Sequence, residues 1–224
     1  MNHTRHLGLF NFPPGFAITL IGAGGIGAVT ALTLAKMGIP FLNIFDDDVI
    51  DETNMPGQLH KLSDIGRFKI DGLEETIFSF ADDTNIKVWP ERIGAEDQLP
   101  RSNMVISAVD SIDARKGIWT SVYRAAHEGT LSHYLDSRMA GEQYQHFAVD
   151  MHSVRDVERY NIELSSLNES DVEELPCTEK ATMFTAMMAA GHIATVVRNV
   201  LRNNFTSHRL VHYIPEEVVH KFNL

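Results

Sequence analysis

The chain has 224 residues, 44% of them apolar and 22% charged, which is enough for one large domain with its own core. Its formal net charge of −11 disfavours nonspecific binding to nucleic acid or to anionic membranes, because both carry negative charge. The start of the chain lacks the basic and apolar segments of a signal peptide, and the single cysteine, Cys177, excludes an internal disulfide. We therefore expect a cytoplasmic protein that binds neither membranes nor nucleic acid.

The first half of the chain alternates apolar runs with helical patterns, which predicts strand–helix–strand units and a parallel sheet. The predicted strands are Ala17–Ile21, Phe41–Phe45, Ile86–Trp89 and Met104–Ala108. The predicted helices are Gly25–Met37, Ile65–Phe80 and Ile112–Glu128. Gly38 is suited to end the first helix, and Ser111 or Asp110 is placed to cap the third.

The second half predicts strands that follow one another closely, which indicates a hairpin-like or mixed extension of the sheet. These strands are Thr130–Asp136, Gln143–His152 and Arg209–Ile214. The polar and acidic stretch Asn161–Glu174 predicts a solvated crossover loop.

A long apolar helix is predicted from a cap at Thr178 to about Asn203. His192 and Arg198 interrupt it, so it is too polar for a membrane span and is expected to be a core helix. Its methionines are expected in the core or in a dimer interface.

Together these patterns predict an α/β fold, with a Rossmann-like, mostly parallel sheet that has helices on both faces. Mixed or antiparallel strands and a long C-terminal helix extend it. We expect a single domain over residues 1–224, with a nucleotide-binding core at about 16–128. The extension at about 129–224 contains the crossover loop, at 161–177.

A glycine-rich turn follows the first predicted strand, and its glycines are Gly22, Gly24, Gly25 and Gly27. Such a turn brings backbone N–H groups and a helix N-terminus against phosphate oxygens. Asp46 ends the next predicted strand, where a carboxylate can accept hydrogen bonds from ribose hydroxyls. Dehydrogenases, methyltransferases and nucleotide-activating enzymes share this pattern, and a tight turn with close helix packing would also explain the glycines.

Further motifs distinguish among these enzyme classes. Polar residues continue after Asp46 with Asp48, Asn54 and Gln58, and the later motifs are Gly66-Arg-Phe-Lys69, Ser107-Ala-Val-Asp110-Ser-Ile-Asp-Ala-Arg115 and Ser137-Arg-Met-Ala-Gly141-Glu-Gln143. In this order the motifs resemble those of the ThiF/MoeB adenylyltransferases, the superfamily that includes ubiquitin-activating enzymes. The resemblance runs from about residue 5 to 200.

The resemblance implies a reaction in which the C-terminal carboxylate of a ubiquitin-like or sulfur-carrier protein attacks the α-phosphate of ATP. Lys69 is expected to contact phosphate oxygens, and Asp110 is expected to hold Mg²⁺. Asn54 and Gln58 would line the region around the phosphates and the ion, and Asp48 would orient the loop or balance charge. The alternatives are a solvated lysine, a helix-capping aspartate and loop-capping amides.

Three further residues take expected roles from the resemblance. Arg115 is expected to support the site by pairing with a carboxylate. Arg5 matches an arginine that reaches the phosphate site of a neighbouring subunit, which implies a homodimer, although an ordinary terminal arginine is the alternative. Cys177 lies near the position of a cysteine that accepts the activated acyl group; a small buried side chain is its alternative role.

Two departures from the family pattern stand out. The family carries arginine directly before the glutamine of Asn-x-x-Arg-Gln, where this chain has Gly57 before Gln58. Arg67, Arg138 or Arg5 would have to compensate; otherwise adenylation is slow or the protein only binds nucleotide. The paired Cys-x-x-Cys ligands of many relatives are also absent, so no zinc is expected.

We therefore expect an ATP- and Mg²⁺-dependent adenylyltransferase. The alternatives are an enzyme of the same superfamily acting on a peptide, a small carboxylate or a tRNA base, a noncatalytic nucleotide-binding scaffold, and an NAD-dependent oxidoreductase. The last would leave Lys69 and Asp110 without a shared purpose.

Overall fold

The computed structural model describes residues 2–168 and 181–224 of the chain. Its strands are β1 Ala17–Ile21, β2 Phe41–Phe45, β3 Asn85–Trp89, β4 Met104–Ser107, β5 His133–Ala140, β6 Gln143–Asp150, β7 His208–Tyr213 and β8 Val218–Asn223. Its α-helices are α1 Gly25–Met37, α2 Lys69–Phe78, α3 Ile112–His127, α4 Val154–Ser165 and α5 Met183–Leu201. Two short 3-10 helices span Glu52–Asn54 and Leu62–Asp64.

All eight described strands form one sheet in the order β3-β2-β1-β4-β5-β6-β7-β8. Strands β1 to β5 run parallel, and β6, β7 and β8 each pair antiparallel with the strand before them. The predicted Rossmann-like fold with an antiparallel extension is confirmed. Chain order reverses between β1 and β4, which is where sheets of this class bind ligands at their carboxyl edge.

Helices cover the two faces of the sheet with separate apolar cores. On one face α1, α2 and α5 pack through residues such as Leu34, Leu73 and Ile193. On the other face α3 and α4 pack through Trp119 and Tyr160, whose rings meet edge-on with their centroids 4.7 Å apart. This two-sided burial explains why β1, β2 and β4 consist mostly of apolar residues.

The structure corrects the second half of the sequence prediction. The stretch read as a loop from residue 161 is helical as far as Ser165, because α4 buries Val157, Tyr160 and Leu164 along one face while most of its other residues are polar. Strand β8 was not predicted, and all six of its residues are exposed. Helix α5 begins after Thr182, whose hydroxyl accepts the Thr185 N–H, and Thr178 lies outside the described residues.

Helix α5 is the one described helix that is long and apolar enough to cross a membrane by length and composition. Small buried residues such as Ala186, Ala189 and Ala190 instead pack it against α1. Met187 and Met188 are 53% and 40% exposed, which excludes core packing for them. Their role in a subunit contact stays a prediction.

Candidate functional site

The glycine turn folds against the end of β4, at the point where chain order reverses. Gly22 has a φ of 99°, and a Cβ there would lie 2.7 Å from the carbonyl oxygen of Ala108. A Cβ on Gly27 would lie 1.9 Å from the carbonyl oxygen of Gly22. Only glycine fits at these two positions, so the turn sits directly beside the segment that carries Asp110.

The N-terminus of α1 has the features of an anion site. Gly24 is its N-cap, no described side chain caps it by a hydrogen bond, and its first turn holds no acidic residue. A Cβ on Gly24 would meet only the Gln58 amide nitrogen, at 3.8 Å, so there is open space over the turn. Unpaired N–H groups and the positive end of the helix dipole therefore fit a phosphate.

Asp46 lies where the ribose carboxylate was expected, at the end of β2. One carboxylate oxygen accepts the N–H of Ala23 at 2.6 Å, and the other accepts the N–H of Asp48 at 2.9 Å. Burial raises the pKa of Asp46, whereas the Ala23 hydrogen bond and the nearby Lys69 charge oppose that rise. A carboxylate has further lone pairs, so Asp46 can still accept a ribose hydroxyl.

Lys69 begins α2 and is buried, with 7% exposure, which excludes the solvated alternative. Its Nζ donates to Asp48 Oδ2 at 2.6 Å, and its N–H donates to the Asp48 carbonyl at 2.9 Å. Its charge also acts on the carboxyl group of Asp46. The ammonium group is thus held next to the carboxylate that binds the glycine turn, and Asp48 balances its charge.

Asp110 is exposed at the carboxyl end of β4. Ser111, not Asp110, caps α3, because its hydroxyl accepts the N–H of Ala114 at 3.2 Å. Asp110 forms no hydrogen bond or ion pair with any residue that the structure describes. An exposed carboxylate with open coordination positions fits Mg²⁺, which prefers oxygen ligands and keeps several waters.

Arg115 is 2% exposed and contacts the chain at the end of β4. Its guanidinium donates to the Asp136 carboxylate and to the carbonyl of Val109, the residue before Asp110. The predicted pairing with a carboxylate is confirmed. Asp136 is fully buried and also accepts hydrogen bonds from Arg138 and Tyr160.

The two amides of the polar loop differ. The Asn54 side chain accepts the Asp51 N–H at 3.2 Å and so caps the first 3-10 helix, which is the loop-capping alternative. Gln58 presents its amide to Gly24, and its buried Oε1 has no hydrogen-bond partner among the described residues. An unpaired buried oxygen next to the open glycine turn leaves Gln58 available to a ligand.

The surroundings of Gly57 are crowded. Gly57 is buried, and a Cβ there would lie 3.3 Å from the Cβ of Ala181. Ala181 in turn pairs with Gly141 in an isolated parallel bridge. A side chain at position 57 would therefore press against the chain just before α5.

Two of the arginines proposed to compensate are already paired. Arg67 binds Glu75 at 2.6 Å and Asp64 at 3.1 Å. Arg138 binds Asp136 at 2.6 Å. In this arrangement neither guanidinium is free to meet a phosphate.

Arg5 lies away from the site in its own chain. It is exposed in the N-terminal segment, where His3 contacts Asp83 and Gly38 at the opposite edge of the sheet. Its predicted role in a neighbouring subunit is not affected by this position. Cys177 lies outside the described residues.

His60 belongs to the site and was not singled out from the sequence. Burial lowers its pKa, the charge on Lys69 lowers it further, and a backbone contact with Ala23 opposes both. It therefore lies close enough to Ala23 and to Lys69 for both to act on its ring. Its position two residues after Gln58 was the one available signal, and a lone histidine carries little weight by itself.

Comparisons with known proteins find relatives that are named as adenylyltransferases. The chain is 28% identical over 123 residues to a probable adenylyltransferase/sulfurtransferase MoeZ of Mycobacterium tuberculosis, covering 48% of this chain and 31% of that protein. It is 33% identical over 98 residues to the adenylyltransferase and sulfurtransferase UBA4 of Eremothecium gossypii, covering 42% and 22%. The chain thus spans a third or less of the curated relatives it matches.

Solved structures show the same fold over most of the chain. PaaA matches with a TM-score of 0.71 and 16% identity, covering 93% of this chain and 64% of that one. MccB of E. coli with ATP matches with a TM-score of 0.67 and 14% identity, covering 93% and 63%. The family model described as ThiF family matches residues 16–213. Since this match takes in the glycine turn, Lys69, Asp110 and the antiparallel strands β6 and β7, the chain belongs to the ThiF family.

Proposed function

We propose that this protein is an ATP-dependent adenylyltransferase that activates the C-terminal carboxylate of a ubiquitin-like or sulfur-carrier protein. A carboxylate oxygen attacks the α-phosphorus of ATP, the bond to pyrophosphate breaks, and an acyl-adenylate forms. The relatives named as adenylyltransferases support the reaction class. The substrate, the single-domain organisation, the homodimer and a cytoplasmic location are further parts of this proposal.

The open N-terminus of α1 with the buried Lys69 beside it is the observation that carries the proposal. Two anions approach each other in this reaction, so the protein must neutralise charge and fix the line of attack. Backbone N–H groups of the turn would hold phosphate oxygens, Asp46 the ribose, and Lys69 the charge that develops on the phosphates. Mg²⁺ held by Asp110 would neutralise further phosphate charge.

ATP–pyrophosphate exchange tests this proposal directly. Purified protein, ATP, Mg²⁺ and labelled pyrophosphate are incubated with a panel of small carrier proteins ending in Gly-Gly and of short peptides. Exchange that depends on one of these carboxylates is the expected result. A carrier whose C-terminal carboxylate is amidated is the matched control and should give no exchange.

Nucleotide binding without exchange across the whole panel would instead favour a noncatalytic scaffold. This second function has a specific observation behind it, because Gly57 replaces a phosphate-neutralising arginine and Ala181 fills the space. Enhanced NADH fluorescence on binding would favour the oxidoreductase alternative.

Replacing Asp110 with alanine is expected to lower exchange about 100-fold, because the metal ligand is lost while Ser111 still caps α3. The Mg²⁺ dependence of nucleotide binding, followed with a fluorescent ATP analogue, should also disappear. Asp113→Ala is the matched control, since Asp113 is exposed in the first turn of α3. Equal Mg²⁺ dependence in Asp110→Ala and wild type would contradict the assignment.

Replacing Cys177 with alanine is expected to spare exchange and abolish only the later transfer of the acyl group. The resemblance of the motifs to those of the ThiF/MoeB adenylyltransferases is the ground for this expectation, and Cys177 lies outside the described residues. Formation of a thiol-sensitive adduct with the carrier, seen by intact-protein mass spectrometry, measures the step. A variant that merely melts at a lower temperature while still forming the adduct would rule out the covalent role.

A further inference from the structure

Four histidines and a tyrosine form a cluster between α5 and the antiparallel strands, and we call this group the histidine cluster. Its members are Tyr144 and His146 on β6, His208 and His212 on β7, and His192 on α5. The four strand residues are between 1% and 6% exposed, and Tyr144 lies directly opposite His212. Neighbouring rings have centroids between 5.2 and 6.2 Å apart. The histidine cluster therefore joins α5 to both strands.

The hydrogen bond between His146 and His208 depends on neutral rings. His208 Nδ1 lies 2.8 Å from the carbonyl oxygen of Thr206, which only accepts, so Nδ1 carries the proton of this ring. His208 Nε2 is then the acceptor for His146 Nε2, which lies 3.2 Å away and donates. The other nitrogen of His146, Nδ1, is buried and has no hydrogen-bond partner among the described residues. A proton added there would place a charge in the core without an acceptor, which is costly.

The hydroxyl of Tyr144 joins the other two rings. It forms hydrogen bonds with Nδ1 of His192 and with Nδ1 of His212, the latter at 2.9 Å. A hydroxyl carries one proton, so it can donate only to an Nδ1 that has none. Protonation of both rings would remove that acceptor and would place two positive charges on rings with centroids 6.1 Å apart.

Two charged side chains act on the histidine cluster from neighbouring strands. Lys221 on β8 disfavours protonation of His146 and His208, whereas Asp136 on β5 favours protonation of His146 but already binds two arginines. Burial, reinforced by the neighbouring rings and Lys221, lowers the pKa of His146 to about 3. Burial is also the main cause that lowers the pKa of His192 and of His208. The surroundings therefore favour the neutral rings that the hydrogen bonds require.

Helix α5, which the histidine cluster attaches to the strands, also lies behind the glycine turn. A Cβ on Gly25 would lie 3.7 Å from the Cβ of Ala186 on α5, and a Cβ on Gly57 would lie 3.3 Å from the Cβ of Ala181 just before this helix. Helix α5 also packs along α1, which begins at the turn. Loss of its attachment to β6 and β7 would therefore loosen the turn.

We propose that the histidine cluster holds α5 on β6 and β7 only while its imidazoles are neutral, so that acid releases α5 and loosens the glycine turn. In the released state the rings meet water, and their pKa returns towards the ordinary value of about 6.5. That state binds more protons, so the attachment is complete above about pH 6.5 and weakens as the pH falls towards the lower pKa of the folded protein. For His146 alone the release equilibrium should rise about 25-fold between pH 7 and pH 5.

Hydrogen–deuterium exchange of the full chain without nucleotide tests this proposal, followed by mass spectrometry at pH 7, 6 and 5 and corrected for the intrinsic exchange rates. Protection of α5 in wild type should fall at least tenfold from pH 7 to pH 5, and that of the glycine turn should fall with it. Helices α3 and α4, on the other face of the sheet, should lose less than about twofold. Equal loss on both faces, or unchanged protection of α5, would overturn the proposal and leave the proposed function standing.

His146→Gln provides the second comparison, because glutamine removes the titrating ring and keeps an amide that can donate to His208 Nε2. Protection of its α5 should fall at least fivefold less than in wild type over the same pH range. The matched control is His133→Gln, since burial also lowers the pKa of His133 but its ring contacts Phe205 outside the histidine cluster. This control should keep the acid response of wild type. A folded His146→Gln with the full wild-type response would overturn the proposal, and if this variant does not fold, the comparison of the two faces in wild type decides.

Discussion

Replacing Lys69 with methionine is expected to reduce ATP–pyrophosphate exchange about 100- to 1000-fold, the largest effect on activity predicted for this protein. Lys69 is 7% exposed, and methionine keeps an unbranched apolar side chain of similar length at this buried position. It lacks only the ammonium group. Arg67 and Arg138 are paired with other carboxylates, so neither is expected to replace that charge. Initial exchange rates at saturating ATP and carrier measure the effect.

Lys61→Met is the matched control for this experiment. Lys61 is exposed in the same loop, eight residues before Lys69, and its variant should exchange within about twofold of wild type. Lys69→Met should still unfold cooperatively, since Asp48 is half exposed and water can solvate it. A folded Lys69→Met that keeps more than half of the exchange rate would remove Lys69 from the mechanism.

Replacing Asp136 with asparagine is expected to lower the free energy of unfolding by about 3–5 kcal/mol, the largest predicted loss of stability. The carboxylate is fully buried and accepts hydrogen bonds from Arg115, Arg138 and Tyr160. The neutral amide leaves two guanidinium groups in the interior with no opposite charge. Urea denaturation curves of both proteins, fitted with a common slope, measure the difference.

Acid should remove the advantage of wild type over the Asp136 variant. Burial raises the pKa of Asp136, but the charges of Arg115 and Arg138 outweigh it and hold the pKa below its ordinary value of 3.8. The stabilisation is therefore complete above about pH 4 and is lost as the pH falls through the lower pKa of the folded protein. Asp113→Asn, at an exposed position, should change stability by less than about 0.5 kcal/mol at any pH.

The first half of the fold follows closely from local sequence. Strands β1 and β2 and helix α1 have the predicted bounds, because apolar runs, a glycine turn and the left-handed Gly38 each mark a boundary. Helix α2 was predicted four residues early. Residues 65–68 keep the apolar pattern of a helix, but Phe68 is extended and Val49 pairs with it.

The helices and strands of the second half were predicted less accurately, because the composition there hides the hydrophobic pattern. Helix α4 carries only three buried residues among charged and polar neighbours, so its stretch resembles a solvated loop. Strand β8 is exposed throughout and therefore lacks the alternation that marks a half-buried strand. Its position is set by pairing with β7, which is a tertiary contact.

Residues of the candidate site that belong to a sequence motif could be predicted, whereas residues brought there only by packing could not. The motif around Lys69 placed this residue near the glycine turn. Balancing charge was one of the two roles that the sequence suggested for Asp48, and its ion pair with Lys69 fits that role. Asn54 caps its own loop, which the sequence left open. His60 and Ala181 lie at the site through the path of the chain, and neither residue type marks a nucleotide site by itself.

The crowding around Gly57 limits how this protein could change. Its carbonyl oxygen would lie 2.9 Å from a Cβ on Gly25, and a side chain of its own would meet Ala181. Replacing Gly57 with arginine would bring its Cβ to 3.3 Å from the Cβ of Ala181, so the chain that enters α5 would have to shift to admit it. A larger side chain at position 57 is therefore compatible with this fold only together with a change in the chain that leads into α5.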